Sequence, residues 1–249
     1  MEIRARSTSF NGFAEVCWLE PSGSWRREPA TPQLLDRELY LASASREGNR
    51  YAKQRNYHGF YYFTGTGTHV RTESLLEASC LAWLDLTCDI VAIASQPMRI
   101  DFADGTRHFP DLFALHSNHR QVLYDVKPTA RIDARALTQF ARTMALCERV
   151  GWGYEILTEL PPVEHRNVAY LRHFKHRGFH PAPQAVDRLL ASLSEPMPFD
   201  DAARTLALGT LADSRAALLH LVWRRVVAVD LSTRLSSTSL VERSNRAHA

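Results

Sequence analysis

The chain is short of the features that would mark a secreted, membrane or metal-scaffold protein. Its four cysteines, Cys17, Cys80, Cys88 and Cys147, are scattered with no C-x-x-C pair. That argues against a zinc site or a disulfide framework and suits a reducing compartment. No run approaches the roughly 20 apolar residues of a membrane span. The opening stretch MEIRARSTSF holds no apolar segment of signal-peptide length, so a cytoplasmic protein without a membrane partner is expected. Charge of one sign is also missing. Thirty Lys and Arg face 27 Asp and Glu, and the net charge of +3 permits a nucleic-acid partner without demanding one. There is no internal repeat, and no nucleophile motif frames the Ser and His residues as a triad. What is present is ordinary for a globular protein: 249 residues, 45% apolar and 23% charged, enough for one large or two modest domains.

Residues 1–70 read as an irregular extension of unassigned role. Pro21, Pro29 and Pro32 break its first part, and Gly65 and Gly67 end it. Between them, SREGNRYAKQRNYHGFYYF mixes Arg46, Arg50, Lys53 and Arg55 with aromatics. Basic residues among aromatics suit a nucleic-acid surface. A solvated helix packing its aromatics on the next domain accounts for the same pattern.

From Thr72 the periodicity sharpens. Leu75, Leu76, Ser79, Cys80, Trp83 and Leu84 recur at helical spacing, and DIVAIAS follows as a short apolar strand. MRIDFADGTRHFPDLFAL reads as a hairpin turning at Asp104-Gly105. QVLYDVK is another strand, ended by Pro128. A long helix comes next, with Leu137, Phe140, Ala141, Met144 and Ala145 as its apolar stripe and Gly151 as its C-terminal cap. WGYEILT closes the segment as a strand. The order helix, three strands, helix, strand predicts an α/β layer fold over residues 71–165. Beyond Pro161-Pro162, residues 166–241 read as a mainly helical module with loops at Pro181, Pro183, Pro196 and Pro198. Its best helix is DSRAALLHLVWRR, with Asp213 as N-cap. Two short strands, in VVAVD and STSLV, then suggest a winged-helix-like arrangement. Residues 242–249 read as a frayed tail.

One short stretch does not fit a plain structural strand. LYDVKP (residues 123–128) sets Asp125 and Lys127 two positions apart, on one face of an apolar strand. FPD (residues 109–111) precedes it, with thirteen residues between Asp111 and Asp125. Paired neighbouring strands bring the two carboxylates together beside Lys127. Two close carboxylates repel, more so at low dielectric, and a divalent cation removes the conflict. Magnesium takes a few carboxylates, waters and phosphate oxygens. A lysine beside it can orient or deprotonate water and offset phosphate charge, which makes a phosphodiester hydrolysis site. Glu77, three residues after Ser74 in SLLEA, is a third available carboxylate, although S-x-x-E is also a helix-capping box. An isolated Asp125–Lys127 pair would be no more than a surface ion pair.

At these residues the sequence resembles the PD-(D/E)XK nuclease superfamily, and more narrowly the TnsA-like endonuclease subunit of heteromeric DNA transposases. The resemblance covers about residues 72–175 and rests on SLLEA, VAIASQPMRIDF, HFPDLFAL, LYDVKP and ERVGWGYEILTE. It implies a restriction-endonuclease-like core with a mixed sheet and metal-dependent cleavage of double-stranded DNA at transposon ends, leaving 5′-phosphate and 3′-hydroxyl termini. It implies Mg2+, with Mn2+ able to substitute, a DDE-type transposase subunit as partner, and an ATPase regulator. Carried over, Glu77, Asp111 and Asp125 become the catalytic metal ligands and Lys127 the catalytic lysine. Gln96, before Pro97, sits where relatives often have the same pair, as a DNA-side residue or a turn residue. Asp125 departs from the commoner Glu and is one methylene shorter.

His108, beside FPD, is either a phosphate contact or, as favoured here, an exposed strand residue. HRNVAYLRHFKHRGFH offers Arg172, Lys175 and Arg177 as DNA-backbone contacts. The rival readings are a stand-alone restriction or repair nuclease of the same superfamily, and a non-catalytic DNA-binding adaptor that keeps the fold.

Overall fold

The computed structural model describes residues 13–45 and 58–244. They divide into two compact units, one drawn from residues up to Leu81 and from Cys88–Glu159, the other from Ala82–Thr87 and from Leu160 onward. Arg50, Lys53 and Arg55, expected to face nucleic acid, lie outside the described residues.

The first unit is α/β. One antiparallel sheet has the strand order β2-β1-β6-β7, from β1 (Ala14–Leu19), β2 (Trp25–Pro29), β6 (Met98–Phe102) and β7 (Arg107–His108). A hairpin of β3 (Gly59–Phe63) and β4 (Thr68–Thr72) leads into helix α1 (Leu75–Thr87). The second sheet runs β10-β9-β8-β5, from β5 (Ile90–Ser95), β8 (Leu112–His116), β9 (Gln121–Val126) and β10 (Gly153–Leu157). Its β5, β8 and β9 pair antiparallel, while β10 joins β9 in parallel after helix α2 (Ala134–Val150), so the sheet is mixed. A parallel neighbour needs such a crossover. Val122, Leu123 and Tyr124 are all buried, as expected of an interior strand covered on both faces.

Several expectations need correcting. The irregular N-terminal extension contains β1–β4, and β1 pairs with β6 along Ala14–Trp18. Its Val16, Trp18, Leu34 and Leu39 enter the same core as Phe113, Leu123, Leu146 and Val150. Prolines hid this: Pro29 ends a strand, and Pro32 opens a short 3-10 helix. Five strands, not three, lie between α1 and α2, because the Asp104-Gly105 turn closes only β6–β7 and the chain then crosses to the other sheet. On α2 the buried line is Ala136, Phe140, Thr143, Cys147 and Val150, with Leu137 44% exposed. Thr143 is accommodated on this buried face because its hydroxyl donates to the Gln139 carbonyl at 3.0 Å. Gly151 does cap it, at φ 96°.

The second unit contains α3 (Pro162–Leu171), α4 (Pro183–Ser192), β11 (Met197–Pro198), α5 (Phe199–Leu206), α6 (Leu211–Trp223), β12 (Val227–Val229) and β13 (Leu240–Arg243). The strands form a sheet in the order β11-β13-β12. Pro183, read as a breaker, is instead the first residue of α4, where its missing N–H is harmless. Thr210, rather than Asp213, is the N-cap of α6, and Asp213 completes the capping box from the third helical position.

Candidate functional site

Asp111 and Asp125 meet at the junction of β8 and β9. Leu112 on β8 stands opposite Tyr124 on β9, so the next step of the antiparallel register places Asp111 beside Asp125. The Val126 N–H donates to Asp111 Oδ2 at 2.7 Å, which fixes that carboxylate across the strand end. The Asp111 carbonyl accepts the Gln96 N–H at 2.8 Å. Burial pushes the Asp111 carboxyl well above the usual carboxylate range, and the charges of Asp125, Glu77 and Glu73 push it further. The nearby Cys80 thiol is pushed up to about 12 by burial, with the charges of Asp111, Glu77 and Glu159 adding to it. This corner of the unit is therefore strongly acidic.

Asp125 is buried, at 3% exposure, directly after the buried Val122, Leu123 and Tyr124 of the same strand. Its Oδ2 accepts two hydrogen bonds, from His108 Nε2 at 2.9 Å and from the Tyr154 hydroxyl at 2.6 Å. Gln139 Nε2 lies 2.5 Å from His108 Nδ1; with the amide as donor, the ring proton sits on Nε2 and points to Asp125. Asp125 Oδ1 is also buried, and among the described residues it has no hydrogen-bond partner. His108 is thus a buried residue rather than the exposed strand residue expected. Tyr154 and Gln139 were not singled out by the sequence at all.

Lys127 follows directly on β9 and is half-buried. Its N–H donates to the Leu157 carbonyl at 2.9 Å, which prolongs the β9–β10 pairing by one residue and keeps the strand alternation that relates it to Asp125. No ion pair joins its ammonium to a carboxylate among the described residues.

Glu77 serves the start of α1. Its Oε2 accepts the Glu73 N–H at 2.8 Å, its Oε1 accepts the Ser74 hydroxyl at 2.9 Å, and its own N–H donates to Ser74 Oγ at 3.1 Å. Burial nonetheless raises its carboxyl above the ordinary value. Glu77 reaches Asp111 through its charge while its oxygens are occupied by the helix cap.

A hard cation takes carboxylate oxygens and keeps several waters. Two observations fit such an ion: the orphaned buried oxygen of Asp125, and the repulsion that Asp111 feels from Asp125. The fit is to two carboxylates. The expected set of three is not gathered, since among the described residues no group of three His, Cys, Asp or Glu side chains is placed to hold a metal.

The expected DNA contacts divide. Gln96 is buried, 7% exposed, in the left-handed region at φ 48°. Its carbonyl accepts Ser45 N–H and Oγ at 2.8 and 2.9 Å. It shapes the turn and holds the Asp111 backbone, so it is not open to DNA. Lys175 is also withdrawn, with Nζ 4.0 Å from Asp85 and 5.9 Å from the Trp223 ring centroid. Arg172 and Arg177 are exposed, as backbone contacts require. Compared with family models and with curated proteins, the chain matches none.

Proposed function

We propose that this chain is a metal-dependent DNA endonuclease of the PD-(D/E)XK type, and that it works as the TnsA-like cleaving subunit of a heteromeric transposase. The observation that carries the reading is the meeting of Asp111 and Asp125 at adjacent strand ends, with Lys127 two residues on. Conditions of this kind, carboxylates pressed together at low dielectric with an unmet oxygen, suit a cation-binding hydrolytic site better than a structural ion pair. The order of α1, the mixed sheet, α2 and parallel β10 is in keeping with a restriction-endonuclease-like core. In the second unit, α4, β11, α5, α6, β12 and β13 follow in the order of a winged-helix module, and Arg172 and Arg177 offer phosphate contacts.

In this reading Asp111 and Asp125 hold the ion. Mg2+, or Mn2+ in its place, supplies Lewis-acid stabilisation of the charge that builds on the phosphate oxygens. Glu77 deepens the negative potential that attracts the cation. Lys127 would orient the attacking water; as a neutral amine it would take up the water proton, and as the resulting ammonium it would offset phosphate charge. The products are 5′-phosphate and 3′-hydroxyl ends, and a DDE-type transposase acts on the other strand.

The test is a lysine series assayed on candidate end DNA, with the chain alone and with a co-purified transposase partner. Arginine keeps the charge but is planar and does not lose its proton. Lys127→Ala and Lys127→Arg are both expected to lose cleavage by about a hundredfold or more, the scale of a positioned acid–base group. DNA affinity is expected to stay near normal, since one phosphate contact is a small part of the electrostatic total. Near-normal cleavage by Lys127→Arg, with binding lost in Lys127→Ala, would make the lysine a DNA anchor. No metal-dependent cleavage by the wild type in any arm would leave the adaptor reading instead.

A further inference from the structure

We propose that His108, steadied by Gln139, and Tyr154 are positioning residues that commit one oxygen of Asp125 to the protein and leave the other as its single ligand atom. The inference rests on the nuclease reading above and assigns to it three residues from three other elements.

A buried carboxylate in an apolar strand must be satisfied or neutralised. The usual solution spreads donors over both oxygens. Here both donors converge on Oδ2, His108 Nε2 at 2.9 Å and Tyr154 Oη at 2.6 Å, while Oδ1 has no partner among the described residues. The donors come from strands of different sheets. His108 stands on β7 of the first sheet, and Tyr154 on β10 lies opposite Leu123 and packs against the core. Gln139 on α2 holds the far side of the imidazole at 2.5 Å. The carboxylate plane is thereby fixed at two points, and rotation that would offer Oδ2 to a ligand breaks both hydrogen bonds. Asp125 is set up to bind through Oδ1 alone. The short side chain matters here. One methylene less than Glu gives less freedom to seek a ligand, so orientation by neighbours takes the place of reach. Groups that hydrogen-bond a metal-binding side chain in this way tune affinity by about 10–100-fold.

The test uses the full chain with Mn2+ as probe. Metal affinity is measured by calorimetry without DNA, and the metal concentration for half-maximal cleavage is measured separately. Tyr154→Phe removes only the hydroxyl. It and His108→Ala are expected to weaken Mn2+ binding about 10–100-fold and to shift the half-maximal concentration in parallel, with cleavage at saturating metal returning to within a few-fold of wild type. His108→Gln, whose amide carries an N–H close to the place of Nε2, is expected to recover most of the lost affinity. A merely structural role would lower the melting temperature and leave metal affinity unchanged. That outcome in folded Tyr154→Phe overturns the proposal, and this variant decides the matter if His108→Ala fails to fold. Asp125→Asn separates this from the underlying reading. If it binds Mn2+ and cleaves like wild type, the nuclease site itself is misplaced and both fall. If it is inactive while Tyr154→Phe and His108→Ala keep wild-type affinity, only the positioning role falls.

Discussion

Asp111 is held where its charged form is disfavoured, by burial first and by Asp125 second. Such strain belongs to a binding site rather than to a stability element. Asp111→Asn keeps an acceptor for the Val126 N–H and removes the repelling charge. It is expected to raise the melting temperature of the metal-free protein, by roughly 2–4 °C for each kcal/mol gained in a chain of this size. Magnesium is then expected to stabilise the wild type and not the variant. Calorimetry at neutral pH with and without Mg2+ checks both, and a variant less stable than metal-free wild type contradicts the account. At this scale the sequence was half legible. FPD and LYDVKP carried Asp111, Asp125 and Lys127 because antiparallel register turns their spacing into proximity. His108, Tyr154 and Gln139 were beyond reach, since they meet Asp125 or one another across 17, 29 and 31 residues, and nothing local marks such contacts. Glu77 was legible as a capping residue and as an acid, and it is both.

Helix α2 is the element that ties the two sheets together, through Leu146, Cys147 and Val150 in the shared core. Its end is defined by Gly151. At φ 96° any side chain is strained, and a Cβ there would also stand 3.1 Å from Leu35 Cδ1. Gly151→Ala is expected to destabilise the protein by about 1–3 kcal/mol, the range for a non-glycine residue forced into this region. Urea unfolding measures it, and an unchanged midpoint would mean that the cap relaxes freely. The glycine was readable because left-handed caps have a chemical signature. The rotation of the helix was not, because tertiary packing decides which face is covered, and it buries Thr143 while leaving Leu137 exposed. The strands of residues 14–29 were missed for a similar reason: β1 buries all six of its residues at least partly, on both faces, so it lacks clean alternation.

Across the whole chain, the division into units does not follow sequence order. Ala82–Thr87, the last part of α1, clusters with the C-terminal unit. There the Arg225 guanidinium donates to the Asp85 and Leu86 carbonyls, both at 3.2 Å, and Lys175 faces Asp85. A fragment ending at Glu159 therefore loses the surroundings of buried Leu84 and Leu86. It is expected to be less soluble and more readily cleaved by protease within α1 than the intact chain; a protease-resistant α1 in the fragment would contradict this. The same unit carries a pH signature. Burial lowers the Lys175 pKa from 10.5 to about 8, with Arg172 adding to the fall and Asp85 only partly opposing it. Between about 8 and 10.5 the unfolded chain thus holds a proton that the folded chain has released, and stability from this group rises with pH across that window. Urea midpoints from pH 7 to 10 are expected to include this rise in the wild type and to lose it in Lys175→Met; equal profiles would show that the lysine titrates normally.

The proposed nuclease activity stands or falls with Asp111 and Asp125 holding a metal ion together. The most direct measurement is cleavage of end-labelled candidate DNA by the chain with its transposase partner, in Mg2+, in Ca2+ and in excess chelator, for wild type and Asp125→Asn. The account predicts cuts with 5′-phosphate and 3′-hydroxyl ends in Mg2+ for wild type alone. It predicts binding without cutting in Ca2+, whose looser coordination places the attacking water less well. Wild-type cutting in chelator, or undiminished cutting by Asp125→Asn in Mg2+, would contradict it.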